Sequence, residues 1–231
     1  MSKISFNADN LLNPQFNKEP LRLEDLENKI INADCMDILK QLPDKCVDLV
    51  LTDPPYGINE KFKGGNSGKM NFNEVVDKGW DVAPSKEVFD EIFRVSKNQI
   101  ILGGNFFELP PHRCFIVWDK LMPKDFSLAM AEEAWCSFDR RSVIYRMPTE
   151  KADRIHPTQK PLQLIMNCLA DFSKKEDLIL DCFSGSGTTA IACHRLNRRF
   201  ICIEKDKEYW EASCKRLEDE RKQLSLFGGN A

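Results

Sequence analysis

Short apolar runs alternate with helical stretches along most of the chain. The runs at 29–33, 47–52, 99–103, 114–118, 178–182 and 199–204 are near-continuously apolar, as parallel strands buried on both faces should be. Two further strands are predicted near 134–138 and 142–146. Between them, Val88, Ile92 and Val95 recur at helical spacing, as do Leu162, Ile165, Met166 and Leu169. Trp210, Cys214 and Leu217 form a stripe on a last helix over about 207–223. This alternation predicts an α/β fold, a mixed and mostly parallel sheet with helices on both faces. Residues 1–28, rich in Asn, Pro and charge, read as an N-terminal arm, 29–222 as one catalytic body and 223–231 as a C-terminal tail. Within the body, the glycine-rich stretch 57–79 reads as a mobile loop.

Composition narrows the class. The 231 residues are 42% hydrophobic and 30% charged, which excludes wholesale disorder and leaves enough apolar material for a sizeable core. No run approaches the roughly 18 apolar residues of a membrane span. MSKISFNADN lacks the basic-then-apolar pattern of a secretion signal, so a cytoplasmic protein is expected. The net charge of −3 excludes a protein that coats nucleic acid by bulk electrostatics, but not local basic patches such as Lys61, Lys63 and Lys69, or Arg195, Arg198 and Arg199. Nine cysteines without a Cys-x-x-Cys pair point to core packing rather than a zinc site or a disulfide framework, and no metal site is expected.

Two segments carry chemistry. The first runs Leu178-Ile179-Leu180-Asp181-Cys182-Phe183-Ser184-Gly185-Ser186-Gly187-Thr188-Thr189-Ala190, an apolar strand entering a glycine-rich turn and then a helix. Glycines suit a tight turn that a ligand approaches without a Cβ in the way. Thr188 or Thr189 can cap the helix, whose N-terminus favours negative charge. Glu204, nineteen residues beyond Gly185, ends the next strand, where a carboxylate can hold the two hydroxyls of a ribose. Alone, this pattern fits a dinucleotide site of an oxidoreductase as well as an S-adenosylmethionine site.

The second segment decides between them. In Val47-Asp48-Leu49-Val50-Leu51-Thr52-Asp53-Pro54-Pro55-Tyr56-Gly57 a buried strand ends in a carboxylate, two prolines and an aromatic. The prolines lock φ and donate no backbone hydrogen bond, so the turn is rigid and its carbonyls face outward as acceptors. An exocyclic amino group offers two N–H bonds, one for Asp53 and one for the Pro54 carbonyl. Tyr56 offers a flat face for a base, at about 1–3 kcal/mol per stack.

The pairing of these two segments resembles the amino-methyltransferases of DNA, with Asp53-Pro54-Pro55-Tyr56 as their catalytic turn and Phe183-Ser184-Gly185-Ser186-Gly187 as their cofactor turn. Because the catalytic turn comes first in sequence, the chain is similar to the permuted β group of that family. Asn32-Ala33-Asp34-Cys35, Trp80-Asp81, Ile116-Val117-Trp118-Asp119-Lys120 and His156-Pro157-Thr158-Gln159-Lys160-Pro161 match family blocks in the expected order, so the resemblance covers roughly 29–217.

It implies a Rossmann-like methyltransferase fold and transfer of a methyl group from S-adenosylmethionine to adenine N6 in DNA by base flipping. Asp53, Pro54, Pro55 and Tyr56 would be catalytic. The cofactor would lie against Asp34, His156, Lys160, Asp181, Phe183–Thr189 and Glu204. Asp34 would contact the adenine of the cofactor, and Lys160 would pair with its carboxylate. Asp53, in place of the serine commoner among cytosine-N4 enzymes, favours adenine. Only about 35 residues separate Lys120 from His156, so 120–155 is a reduced target-recognition region. A homodimer would extend its reach. Finally, Gln223-Leu224-Ser225-Leu226-Phe227 resembles the motif by which bacterial replication and repair proteins dock on the sliding clamp, although packing of a helix end is the plainer reading.

Overall fold

In the computed structural model, residues 22–58, 81–123, 129–150, 155–156 and 158–227 are described. Most of the expected arm, nearly all of the 57–79 loop, Lys61, Lys63, Lys69, Trp80 and Pro157 lie outside them, as do 124–128, 151–154 and 228–231.

Eight strands form the sheet: β1 (Lys29–Asn32), β2 (Val47–Thr52), β3 (Ser96–Leu102), β4 (Cys114–Asp119), β5 (Ala131–Cys136), β6 (Val143–Arg146), β7 (Leu178–Asp181) and β8 (Arg199–Glu204). Their order is β1-β8-β7-β2-β3-β5-β4-β6. β5 is antiparallel to both of its neighbours and every other pairing is parallel. The helices are α1 (Leu23–Leu26), α2 (Cys35–Leu39), α3 (Lys86–Val95), α4 (Leu162–Phe172), α5 (Thr188–Arg195) and α6 (Lys207–Phe227). Among the described residues, none is long and apolar enough to cross a membrane.

Side chains alternate across the central strands and build a core on each face. Ile179, Cys202 and Ile100 join Leu164, Leu169 and Ile191 of α4 and α5 on one side. Leu180, Ile201 and Ile101 join Ile38, Leu39 and Ile92 of α2 and α3 on the other. Each fully buried Leu or Ile stabilises the fold by about 1.5–3 kcal/mol relative to exposure. Seven of the nine cysteines are buried in these cores. Burial pushes up the thiols of Cys35, Cys136, Cys168, Cys182, Cys193 and Cys202, Cys35 and Cys168 to about 12, so these stay protonated and pack as small apolar groups.

Three boundaries differ from the sequence reading. β3 begins at Ser96 rather than 99, directly from α3, because Ser96 and Gln99 are buried and hydrogen-bonded to each other. β5 begins at Ala131 with Glu132 and Glu133, polar residues that conceal a strand. The last helix continues through Phe227, into the segment read as a tail. The uniform apolar pattern also gives way at the antiparallel side, where β4 and the edge strand β6 alternate in burial.

Candidate active site

Parallel strands deliver their C-terminal ends to one edge of the sheet, where α/β proteins of this topology bind ligands. β2 and β7 are direct neighbours, Leu49 opposite Ile179 and Val50 opposite Leu180. Their following turns, 53–56 and 182–187, therefore lie side by side. β8 brings Glu204 to the same edge, and β1 brings Asp34.

The glycine turn is held from beneath. Gly185 and Gly187 have φ of +48° and +73°, and a Cβ on Gly187 would meet Ser213 Cβ at 3.0 Å. Asp181 is buried, accepting from Thr52 Oγ1 at 2.8 Å, the Phe183 amide at 3.1 Å and Thr189 Oγ1 at 2.6 Å. Ser186 and Thr188 share a 2.9 Å hydroxyl contact, and Arg216 of α6 donates to the Ser186 carbonyl and to Thr188 Oγ1. Asp181, Ser186, Thr188 and Thr189, read from sequence as cofactor contacts, thus spend their polar side-chain atoms on the turn and its supports. Gly187, not a threonine, is the helix N-cap, and no side chain caps there.

Other members of the predicted set keep groups near the turn's ligand side. Ser184 Oγ is buried without a hydrogen-bond partner among the described residues. Glu204 accepts from the Gly185 amide at 2.7 Å and the Asp206 amide at 2.8 Å, and burial raises its pKa. His156 covers the turn: a Cβ on Gly185 would sit 3.5 Å from its ring, which packs edge-on to Tyr209 with centroids 4.3 Å apart. Burial, with Lys160 nearby, lowers its pKa to about 4, so the ring is neutral. Asp34 caps α2 through the Met36 amide at 3.0 Å, pairs with Lys205 at 2.9 Å and is 39% exposed.

Around the proline turn the structure adds partners that the sequence did not reveal. Asp53 Oδ1 accepts from Tyr56 Oη at 2.8 Å, and Oδ2 accepts from Lys160 Nζ at 2.5 Å. Lys160, expected beside the cofactor carboxylate, is therefore seated on Asp53. It lies 3.4 Å from Glu132 Oε2, and Lys120 pairs with Glu132 Oε1 at 2.5 Å. Burial opposes the charge on Lys160, but Asp53 and Glu132 outweigh it and raise its pKa. The Tyr56 ring stacks on Phe106 at 4.7 Å and meets Phe107 edge-on at 6.2 Å. Gly103, at φ +65°, makes room for it, since a Cβ there would fall 2.2 Å from Tyr56 Cε1. Asp81 accepts from the Gly57 and Ile58 amides at 2.9 and 2.8 Å, tying down the chain beyond Tyr56. Of these additions, Lys120 and Asp81 stand in blocks recognisable in sequence. Gly103, Phe106 and Glu132 carry no signal of their own.

Comparison with known proteins points to DNA methyltransferases. Residues 117–215, which contain His156, Lys160 and the glycine turn, match the family described as DNA methylase, N6/N4 type. The chain is 27% identical to the type II methyltransferase M2.MboI of Moraxella bovis, over 85% of this chain and 89% of that one. It is 24% identical to the type II methyltransferase M.HinfI of Haemophilus influenzae, over 85% and 70% respectively. The M1.HpyAVI–SAM complex superposes with a TM-score of 0.53 at 26% identity, over 82% of this chain and 98% of that one. The cytosine-N4-specific PvuII DNA methyltransferase shares the fold at a TM-score of 0.57 and 16% identity, over 85% and 92%. These matches set aside the dinucleotide reading of the glycine turn. A methylase match running through that turn, on a fold shared with methyltransferases across more than four-fifths of the chain, makes this chain similar to the S-adenosylmethionine-dependent DNA methyltransferases.

Proposed function

We propose that this chain methylates the N6 amino group of adenine at a specific site in DNA, using S-adenosylmethionine and a base flipped out of the duplex. The observation that carries the reading is the adjacency of β2 and β7, which sets Asp53 beside the glycine turn.

The residues at that turn suit the cofactor. Ser184 Oγ is a buried polar atom without a hydrogen-bond partner among the described residues, Gly185 leaves open the space where a Cβ would stand, and Glu204 sits at the strand end where a ribose diol can be held. Neutral His156 adds an aromatic face without placing a cation against a sulfonium. Bound there, S-adenosylmethionine supplies an electrophilic methyl group. The proline turn does the rest. Asp53 and the Pro54 carbonyl accept the two protons of the target amino group, which draws its nitrogen toward tetrahedral geometry and frees its lone pair. Tyr56, backed by Phe106, stacks on the base and offsets part of the few kcal/mol that flipping costs. Catalysis on this reading is positioning plus electrostatics, with no metal required.

The direct test is transfer of labelled methyl from S-adenosylmethionine to unmodified duplex DNA, followed by nucleoside mass spectrometry. N6-methyladenine is expected. N4-methylcytosine would reassign the base, and an unlabelled duplex in the presence of a bound cofactor would remove DNA as the substrate.

Two partner readings accompany this one. β5 and β6 take ten of the 36 residues of 120–155, which shortens further what is left there to read sequence, and this favours a homodimer on DNA, testable by analytical ultracentrifugation. For clamp docking through Gln223–Phe227, the last turn of α6 must unwind, since that segment is helical. A clamp pull-down that is the same for wild type and a Leu226→Ala, Phe227→Ala double variant would end that reading.

A further inference from the structure

Lys160 presents a difficulty for the proposed chemistry. Its ammonium already holds Asp53 Oδ2 at 2.5 Å and reaches Tyr56 Oη at 3.3 Å, so it stands where a substrate amino group would have to donate. The surroundings offer it one alternative. Glu132 Oε2, on β5, lies 3.4 Å from the same Nζ, is buried and has no hydrogen-bond partner among the described residues. The other oxygen of that carboxylate is fixed by Lys120 at 2.5 Å, so Oε2 is aimed rather than free to turn away. Side-chain exposures of 9% for Lys160 and 24% for Glu132 keep bulk water from supplying an equal partner.

We infer that Glu132 is a positioning residue that gives the Lys160 ammonium a second seat. Before the base enters, Lys160 neutralises Asp53. When the target amino group arrives, Lys160 moves onto Glu132 Oε2 and Asp53 Oδ2 becomes free to accept the substrate N–H. The exchange conserves the net charge of the site, because the cluster of Asp53, Glu132, Lys120 and Lys160 holds two carboxylates and two ammoniums throughout. A lysine confined to Asp53 would compete with every substrate; one with a second carboxylate in reach does not. Glu132 itself touches neither base nor cofactor in this scheme. The inference rests on the assignment of Asp53 as acceptor of the target amino group.

The test is a cycle of four proteins: wild type, Glu132→Gln, Lys160→Met and the double variant. Glu132→Gln keeps the shape of the side chain but gives the ammonium a weaker seat. Single-turnover methyl transfer should fall tenfold or more in Glu132→Gln, while S-adenosylhomocysteine affinity stays within twofold. In the Lys160→Met background, the same change should alter the rate less than twofold, since no ammonium remains to be moved. An equal loss in both backgrounds, or a wild-type rate in Glu132→Gln, overturns the inference. Thermal unfolding of the same four proteins reads the contact without substrate, and the drop caused by Glu132→Gln should shrink when Lys160 is already Met. Additive drops count against the seat. A wild-type protein that transfers no methyl group would instead strike at the proposed function, and the unfolding cycle would still decide the contact.

Discussion

Thr52 Oγ1 donates to Asp181 Oδ1 across 2.8 Å, joining the last residue of β2 to the last residue of β7. The next residue after Thr52 is Asp53. The next four after Asp181 lead to Gly185. One buried hydrogen bond thus couples the proline turn to the glycine turn, and Thr52 Oγ1 also accepts from the Cys182 amide at 3.2 Å. The distance over which a methyl group must pass is set by the sheet and by this tie, not by either loop alone.

Asp181 should leave a mark on the pH dependence of stability. Burial pushes its carboxyl up from 3.8 to about 6, against the lowering effect of its three donors. With the folded pKa above the unfolded one, the folded state binds the extra proton. Its contribution is therefore fully present below about pH 4 and is lost as pH rises through about 6, an effect on the order of 2–3 kcal/mol. Asp181→Asn should flatten that part of the stability curve between pH 4 and 6, measured by urea unfolding. A variant whose slope matches wild type would mean that Asp181 is ionised throughout.

Asp53→Ala should cut methyl transfer by at least about a hundredfold, the scale for removing one acceptor or donor aimed at the reacting group. Cofactor affinity should survive, because among the described residues the hydrogen bonds of Asp53 are to Tyr56 and Lys160 and not to the glycine turn. Isothermal titration with S-adenosylhomocysteine beside a rate assay checks both halves, and retained activity would contradict the pocket.

How much of this could be read beforehand depends on residue type. β2 and β7 were legible because continuous apolar runs stop at Pro54 and at the Gly185 turn, residues whose backbone demands punctuate any chain. β5 is legible only in part, since Glu132 looks like surface until Lys120 and Lys160 are seen around it. Lys160 stands out in the sequence, but its partners do not. Sequence shows a lysine ahead of a helix, whereas its pairing with Asp53 spans 107 residues and exists only once β2 and the start of α4 meet. For the threonines of the glycine turn, the groups that engage them, Arg216 and Asp181, are identified only by the fold.

Glu204→Ala should weaken S-adenosylhomocysteine binding about tenfold or more, equivalent to roughly 1.4 kcal/mol. Two losses contribute. The ribose hydroxyls lose their acceptor, and the Gly185 and Asp206 amides lose the carboxylate that orders them. A dissociation constant equal to wild type by titration calorimetry would take Glu204 out of the site.

Gly103→Ala should disable the enzyme from outside both motifs. The glycine has φ +65°, which costs an alanine about 1–2 kcal/mol. The added methyl would also lie 2.2 Å from Tyr56 Cε1 and 2.4 Å from Cζ, inside any tolerable contact, so the ring must leave its stack on Phe106 and its bond to Asp53. The combined destabilisation should be about 2–4 kcal/mol, with transfer reduced tenfold or more. Truncating the ring separates the two costs. In a Tyr56→Ala background the clash is gone and only the backbone part, about 1–2 kcal/mol, should remain in chemical unfolding. Equal destabilisation in both backgrounds would show that Gly103 is required for its φ alone and that Tyr56 does not depend on the space beside it.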